Sequence, residues 1–468
     1  MARMRGRTWA WAWAWATAAA CGPGTATERD VDAATEGASD SDGGEEGAAD
    51  ADADPDVGEE TEADEGEEDG SAEDAGRRPY GDPCTSGDEC AGRFCIDASL
   101  DASFVDGYCS ALFCDVTFPG ACGTEAVCFD TEVYPPLCAK TCETDADCRP
   151  PDYVCVGTCI PDDFTAALDR PGILTGGETD VADFVAAVDD DRMMRRVRVL
   201  AGEEAWDGPT GPVTIRSRAD AHPDHELAAD FLEAELAALG WTVARLEFGA
   251  GLTNLEVEIP GTDPGLAPVL VTAHWDSTAT DTTGWDAAAD AAPGAVDNAS
   301  GVAVALEVAT ILADAGTTPP ERTVRIVLFD AEETGLQGSE EFVAGLTGDI
   351  ACAVNTDMIG WTAEPTAGRF WYVFDEGSRA WAELGVEAIE LFVPGARPIT
   401  TDYGDAGYSD SASFWAAGRC AVGINCWPRE LSNHTVDDTS AAFEPIFHDV
   451  ARASLAGAAG WLYGGGGL

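Results

Sequence analysis

Hydrophobic residues recur with helical and strand periods from about residue 181 to residue 463. One helix is predicted from five apolar residues spaced three or four positions apart: Ala228, Phe231, Leu232, Leu236 and Leu239. Gly240 ends this helix, and the apolar run that follows predicts a strand over residues 241–248. These apolar side chains are expected in the core.

Three further apolar runs predict strands over residues 269–273, 323–328 and 352–354. A helix is predicted over residues 302–315, where Gly316 closes it. Strands and helices that alternate in this way are typical of a mostly parallel sheet sandwiched by helices. We therefore expect an α/β domain over residues 181–463 with a mostly parallel mixed sheet.

The first twenty residues have the pattern of an export signal: three arginines, an apolar run over residues 9–16 and small residues before Cys21. The apolar run is too short to span a bilayer. Either Cys21 becomes the lipidated first residue of a bacterial lipoprotein, or an ordinary signal is cleaved near an incidental cysteine. Ala18 stands where lipoproteins usually have leucine. We expect an exported protein, lipid-anchored in the bacterial cell envelope or extracellular.

The stretch over residues 21–82 is strongly acidic and is expected to be a disordered linker. Between Gly22 and Gly76 it has 22 acidic residues and a single basic one, Arg29. The whole chain has 87 acidic and 25 basic residues and a net charge of −62. This charge argues against nucleic-acid partners, whose phosphates require lysine and arginine, and against anionic membrane surfaces. Membrane attachment is expected only through a lipid at Cys21.

Residues 83–162 form a cysteine-rich module with 12 of the 16 cysteines of the chain. The spacing of Cys84, Cys90 and Cys95 is similar to that of Cys142, Cys148 and Cys155, which indicates a degenerate repeat. An exported segment of this kind favours up to six disulfides, with the connectivity left open. Zinc binding is the alternative, although few of the cysteines are two residues apart. In composition the module resembles cysteine-rich stalk repeats of bacterial surface proteins.

Polar residues follow the predicted strands at the positions where parallel sheets build ligand sites. His274 and Asp357 each come just after a strand, and the pair Glu332-Glu333 comes after another. Asp297 precedes a helix, and His434 lies in the last part of the domain. Oxygen and nitrogen donors of these kinds suit zinc.

Five ligands for two zinc ions require a shared carboxylate, and the turn that contains Asp297 favours it as the bridge. Asp276 lies two residues after His274, so on an extended chain both side chains face the same way. Asp276 is then placed to accept the free imidazole N–H. In the glutamate pair, one carboxylate would bind the metal and the other would serve as general base.

Each of these residues also has a structural interpretation. A single histidine at a strand end is more often structural than a ligand, Asp357 alone would cap a loop, and Asp297 alone would be a helix N-cap. Six residues of the right types in the right order favour the metal site over these separate interpretations.

Five motifs, taken in chain order, closely resemble the M28 family of di-zinc peptidases: His274-Trp275-Asp276-Ser277, Asp297-Asn298-Ala299-Ser300-Gly301, Glu332-Glu333, Asp357 and His434. The family includes bacterial secreted leucine-type aminopeptidases, and the resemblance covers roughly residues 190–463. It implies a zinc exopeptidase-like fold. It also implies one zinc on His274 and Asp357, a second zinc on Glu333 and His434, Asp297 between them and Glu332 as base.

The resemblance further implies that Tyr408 lies near the scissile carbonyl. Asn433 differs from some relatives, which have a tyrosine beside the last histidine. The function implied is hydrolysis of peptide or protein substrates, and we expect removal of N-terminal residues. Asp402 and Asp405 near the predicted pocket would receive the α-ammonium group.

Three alternatives stay open. A carboxypeptidase would need an arginine that faces the substrate carboxylate, for which Arg397 and Arg429 are the candidates. A glutaminyl cyclase on the same scaffold would bind a single zinc ion. A catalytically dead binding protein would typically have lost ligands or the base, whereas this chain has all of them.

Other cysteine, histidine and aromatic residues near the predicted site also have expected roles. Cys420 and Cys426 flank a predicted strand, which predicts a disulfide between them and leaves Cys352 as a buried thiol. His222, His225 and His448 are expected at the surface or at helix starts. Five aromatic residues are pocket walls or packing residues: Trp285, Trp361, Phe414, Trp415 and Trp427.

Overall fold

A mixed eight-stranded sheet lies at the centre of the chain in the computed structural model. The structure describes residues 77–96, 100, 103–112, 114, 122, 125–129, 137–142, 144–155, 158–162, 168, 177–360, 369–402, 409–426, 432–443 and 447–464. The predicted export signal, Cys21 and the acidic stretch up to residue 76 lie outside these residues. Tyr408 does so as well.

The strands and helices are named in chain order. The cysteine-rich module contains β1 (Phe94–Ile96), β2 (Tyr108–Ser110), β3 (Ala126–Phe129), β4 (Leu137–Lys140), β5 (Tyr153–Cys155) and β6 (Cys159–Pro161). Two helices and a hairpin follow: α1 (Glu178–Ala186), α2 (Asp190–Leu200), β7 (Trp206–Gly208) and β8 (Gly211–Val213). The rest of the chain contains α3 (His225–Ala238), β9 (Val243–Phe248), β10 (Leu252–Ile259), β11 (Val269–His274), α4 (Ser300–Ala313), β12 (Val324–Phe329), α5 (Gln337–Gly345), β13 (Cys352–Thr356), β14 (Arg369–Phe374), α6 (Arg379–Phe392), β15 (Arg397–Thr401), α7 (Ser411–Ala416), β16 (Ala421–Cys426) and α8 (Phe447–Gly464).

Four adjacent strands at the centre of the sheet run parallel. The strand order is β15-β14-β16-β13-β11-β12-β10-β9, and β16, β13, β11 and β12 are parallel neighbours. Their carboxyl ends therefore lie along one edge of the sheet. All six residues of β11 are buried, as expected for a parallel strand covered by helices on both faces. The predicted α/β fold is confirmed.

Helix packing also agrees with the apolar pattern. In α3, the side chains of Ala228, Phe231 and Leu232 are fully buried, so this face is core as predicted. The segment Ala295–Ala313 has the length and apolarity of a membrane span, but 89% of it is buried inside the fold. We interpret it as a core helix.

The cysteine-rich module is held by six disulfides: Cys84–Cys95, Cys90–Cys109, Cys114–Cys128, Cys122–Cys138, Cys142–Cys155 and Cys148–Cys159. They form three consecutive units in which the first cysteine pairs with the third and the second with the fourth. Each unit also has one two-stranded antiparallel sheet. The disulfide interpretation is confirmed over zinc binding, and the sequence pattern had shown only the first and third units.

The module packs against the edge of the central sheet. Ile399 of β15 is buried in the same apolar cluster as Ile96, Phe104 and Tyr108 of the module, and Trp371 of β14 packs against this cluster. Arg369 Nη1 also donates to the carbonyl of Cys155, at 3.3 Å. The module therefore covers one face of β14 and β15.

The seventh disulfide joins Cys352 and Cys420. The predicted pair of Cys420 and Cys426 is wrong, as is the interpretation of Cys352 as a thiol. Cys420 and Cys426 lie at opposite ends of β16, and six residues of extended chain span about 20 Å. In contrast, Ala353 of β13 pairs with Ala421 of β16, which places Cys352 beside Cys420.

We expect the double substitution Cys352→Ala and Cys420→Ala to lower the free energy of unfolding by about 2–4 kcal/mol, because it removes a cross-link between two central strands. Urea unfolding of the oxidised protein measures the loss. Peptide mapping without reductant is the control, and a recovered peptide linking Cys420 to Cys426 would contradict the assignment.

Candidate metal centre

The candidate ligands come from the carboxyl ends of the four central parallel strands. His274 is the last residue of β11, and Asp357 directly follows β13. Glu333 lies four residues after β12, and His434 lies eight residues after the end of β16. Because these ends share one edge of the sheet, side chains far apart in sequence converge there.

The carboxylate of Asp297 lies between the two histidines. Its Oδ1 is 3.0 Å from Nε2 of His274, and its Oδ2 is 3.2 Å from Nε2 of His434. Asp297 belongs to the irregular turn Ala295–Ala299 that precedes α4, and its side chain is only 6% exposed. The two oxygens therefore face two different imidazoles, as a shared ligand would.

Two further carboxylates complete two groups around Asp297. Oδ1 of Asp357 lies 3.3 Å from Nε2 of His274, and Oε2 of Glu333 lies 3.0 Å from Nε2 of His434. One group is thus His274, Asp297 and Asp357, and the other is His434, Asp297 and Glu333. The ligand atoms of His274, Asp297 and Glu333 also lie within 4.8 Å of one another, so the two groups adjoin.

The charge balance of the cluster fits a divalent cation. Burial opposes the charged form of His434, but Asp297 and Glu333 outweigh it and raise the pKa of His434 to about 11. Burial, followed by repulsion from Asp297, raises the pKa of Glu333 to about 7. Oε1 of Glu333 is buried and has no hydrogen-bond partner among the described residues. Buried carboxylates that repel one another and leave an oxygen unpaired are suited to a metal ion.

Glu332 lies on the His274 side of the centre. One of its carboxylate oxygens lies within 4.8 Å of the ligand atoms of His274 and Asp357. Burial raises the pKa of Glu332 well above its usual range, with Asp357 adding to the shift and His274 opposing it. Glu332 is therefore beside the centre, while its neighbour Glu333 contacts His434.

Asp276 connects the end of β11 to the glutamate turn. Its Oδ1 lies 3.3 Å from Nδ1 of His274, in agreement with the predicted role. The same carboxylate accepts the backbone N–H groups of Glu332 and Glu333, both at 3.1 Å. Asp276 thus orients one imidazole and both members of the glutamate pair, and only the first contact was predicted.

Two polar residues hold the carboxylate ligands and were missed by the sequence analysis. Ser409 Oγ donates to Oδ2 of Asp357 at 2.7 Å and accepts from the amide of Asn355. Asp438 accepts the backbone N–H groups of Val296 and Asp297, at 2.8 and 3.0 Å. No local pattern in the sequence indicates which distant group each of these two residues contacts.

Asn433 occupies the position beside the last histidine. Its side-chain amide donates to Oδ2 of Asp297. It therefore contacts the shared carboxylate directly, from the same loop as His434. Asn298 and Asn433 are both buried.

A buried pair of His225 and Asp330 lies beneath the glutamate turn. Nε2 of His225 lies 2.9 Å from Oδ1 of Asp330, and its ring lies 4.4 Å from that of Trp275. Asp330 also accepts the backbone N–H groups of Thr253 and Ala331, both at 2.8 Å. His225 begins α3, in line with the expected helix start, and its side chain is buried and paired with Asp330.

His222 is buried as well, and its Nδ1 accepts the backbone N–H of Asp224. The side chain of His448 lies outside the described residues.

The candidate pocket residues divide into three groups. Phe414 and Trp415 are buried in a core cluster with Phe329, so they are packing residues. Trp285 is partly buried and donates its indole N–H to the carbonyl of Ala291, while Asp402 and Arg397 are exposed. The remaining candidates lie outside the described residues: Trp361, Asp405, Tyr408, Trp427 and Arg429.

Comparison with known proteins finds similarity over the part of the chain that holds the candidate ligands. The family model of Peptidase family M28 matches residues 254–456, which include all five candidate ligands. Aminopeptidase YwaD from Bacillus subtilis (strain 168) is 31% identical over 158 residues, 31% of this chain and 31% of that protein. Leupeptin-inactivating enzyme 1 from Streptomyces exfoliatus is 31% identical over 214 residues, 43% of each chain. The chain thus spans less than half the length of these relatives.

A solved structure shares the fold. The Legionella pneumophila LapA aminopeptidase superimposes with a TM-score of 0.51 at 17% sequence identity, over 64% of this chain and 77% of that chain. At this identity the similarity shows a common fold.

Ala331, directly before Glu332, is fully buried and has a φ of +56°. A β-branched side chain is strained in this left-handed region. We expect Ala331→Val to lower the free energy of unfolding by about 1–3 kcal/mol. Ala331→Gly is the control and should stay within about 1 kcal/mol of the parent protein. Chemical denaturation measures both, and equal stability of the two variants would contradict the strain.

Proposed function

We propose that this chain is a zinc metallopeptidase that binds two zinc ions and removes N-terminal residues from peptide or protein substrates. The observation that carries the proposal is the carboxylate of Asp297 between the imidazoles of His274 and His434. A shared carboxylate of this kind suits a pair of metal ions. The match of residues 254–456 to Peptidase family M28 supports the same chemistry.

The proposed ligands follow from the two groups around Asp297. His274 and Asp357 would hold one zinc ion, Glu333 and His434 would hold the other, and Asp297 would bind both. Nitrogen and carboxylate ligands are usual for zinc. When bound, the zinc ions would lower the pKa of a water molecule and polarise the scissile carbonyl.

Glu332 is proposed as the general base. It lies near His274 and Asp357, and Asp276 holds its backbone N–H. Glu332 would take the proton from the attacking water and then deliver it to the departing amine. Asp276 would keep the His274 ring and the glutamate turn in place. Tyr408 is proposed near the scissile carbonyl on the family pattern alone.

The names of two similar proteins favour cleavage from the amino end. The names of YwaD and LapA describe aminopeptidases. Asp402 directly follows β15, the edge strand that also carries Arg397, so its distance from the centre disfavours it, and Asp405 stays the candidate for direct contact with the ammonium group.

The three alternative functions are a carboxypeptidase, a glutaminyl cyclase and a catalytically dead binding protein. For a carboxypeptidase, Arg397 lies on edge strand β15, three strands from the strand before Asp357, at a lateral distance of about 14 Å. A glutaminyl cyclase would use a single zinc ion. A dead binding protein is disfavoured because the ligands and the proposed base are all in place.

Export is proposed on the signal-like first twenty residues and on the seven disulfides, which form in oxidising compartments. Attachment to the bacterial cell envelope through a lipid on Cys21 is part of this proposal, and extracellular release is the alternative.

Replacing Glu332 with Gln tests the base. We expect Glu332→Gln to retain zinc and to lower kcat by at least about 100-fold, because the amide cannot accept the proton. Hydrolysis of an aminoacyl p-nitroanilide, together with zinc analysis of the same sample, measures both quantities. Glu341→Gln, at an exposed position of α5, is the matched control and should keep full activity. Full activity of Glu332→Gln would sink the assignment.

The number of zinc ions tests the proposed pair of metals. We expect about two zinc ions per chain by elemental analysis. Dialysis against a chelator should abolish hydrolysis, and added zinc should restore it. A single zinc ion, together with conversion of an N-terminal glutaminyl peptide into its pyroglutamyl form with release of ammonia, would instead establish the cyclase alternative.

A further inference from the structure

Arg218 is a fully buried arginine whose hydrogen bonds go to backbone carbonyls. Nε donates to the carbonyl of Trp275 at 2.6 Å, and Nη2 donates to that of Gly294 at 2.9 Å. Nη1 donates to the carbonyls of Pro293 at 2.6 Å and Leu200 at 2.8 Å. Among the described residues, the partners of its guanidinium are carbonyl oxygens, and no carboxylate forms an ion pair with it. A buried guanidinium that binds only carbonyls fixes backbone rather than side chains.

Three of the four carbonyls, those of Trp275, Pro293 and Gly294, belong to the segments that present the shared carboxylate and its first histidine. Trp275 lies between His274 and Asp276. Gly294 lies three residues before Asp297, and Leu200 ends α2. Arg218 therefore joins the end of β11 to the turn before α4 and ties both to a core helix.

Two neighbouring residues, Ser277 and Gly294, are suited to this position of Arg218. The backbone N–H of Arg218 donates to Ser277 Oγ, and that hydroxyl donates to the carbonyl of Ala292 at 2.8 Å. Gly294 has a φ of +52°, and a Cβ there would lie 2.3 Å from the carbonyl oxygen of Asp297 and 2.8 Å from Nη2 of Arg218. Only glycine fits between the guanidinium and the turn.

Carboxylates of the candidate metal centre stabilise the charge of Arg218 at longer range. Burial lowers its pKa to about 10, and the carboxylates that oppose this shift are Asp438, Asp276, Asp297 and Glu333. Arg218 thus stays protonated at neutral pH behind the ligands.

We propose that Arg218 is a positioning residue that holds the His274 and Asp297 segments at the separation required for zinc binding. The inference rests on the proposed zinc site and adds a residue that contacts neither metal nor substrate. A guanidinium presents several N–H groups in a fixed plane, whereas a lysine ammonium cannot reach four carbonyls arranged around such a plane. Zinc affinity therefore depends on the shape of this side chain and not only on its charge.

The test compares Arg218→Lys with Arg196→Lys in the full-length, disulfide-intact protein. Arg196 is also buried, but it binds Glu307, Glu235 and Thr310, away from the site. Zinc is removed by dialysis, and affinity is measured by competition with a chromophoric chelator. The melting temperature of each metal-free variant is recorded to separate stability from zinc affinity.

We expect Arg218→Lys to weaken zinc binding by about 10- to 100-fold, the usual effect of losing a group that orients metal ligands. Arg196→Lys should lower the melting temperature and leave zinc affinity within about 2-fold of the parent protein. Equal zinc affinities in Arg218→Lys and the parent would overturn the inference, as would an equal loss of affinity in both variants.

If Arg218→Lys does not fold, Ser277→Ala replaces it, because that change loosens the same turn and retains the guanidinium. A several-fold loss of zinc affinity in Ser277→Ala supports the inference, and an unchanged affinity overturns it. A parent protein that binds no zinc would instead refute the proposed function, so the two failures are distinguishable.

Discussion

The site depends on one buried carboxylate, Asp297, whose two oxygens face two imidazoles. This arrangement requires that the turn before α4, the end of β11 and the loop after β16 meet within a few ångströms. Hydrogen bonds to the backbone and side chains of these segments hold them together. Asp438 accepts the N–H of Asp297, and the side-chain amide of Asn433 donates to the Asp297 carboxylate. Arg218 donates to the carbonyl of Trp275, next to His274, and to that of Gly294, three residues before Asp297. The proposed shared ligand is thus held from several directions.

The same requirement creates an electrostatic difficulty. Several carboxylates with little exposure to water repel one another, and burial alone already disfavours their charged forms. The fold offsets part of this cost with hydrogen bonds from backbone N–H groups, as Asp276 and Asp330 show. It also places the buried cation Arg218 behind the ligands. A divalent cation would compensate the remaining negative charge, which connects the geometry of the acidic cluster to its proposed chemistry.

The cysteine-rich module is stabilised in a different way. Its short strands enclose only a small core. Three units with the same pairing of cysteines replace that core with cross-links. The apolar residues that the module does have pack against Ile399 and Trp371 of the central sheet. The sheet face at this edge is therefore covered by the module, so the resemblance to a stalk describes its composition and not its packing.

The sequence by itself determined the α/β class, the positions of the candidate ligands at strand ends and the presence of disulfides in the module, because these features depend on local periodicity and residue type. Only the tertiary structure decided which distant groups meet. The Cys352–Cys420 disulfide spans 68 residues, and the contact between His225 and Asp330 spans 105. The bonds from Arg218 to Trp275 and Gly294 span 57 and 76 residues. Such contacts follow from the order and register of the strands, and no local spacing in the chain specifies that order.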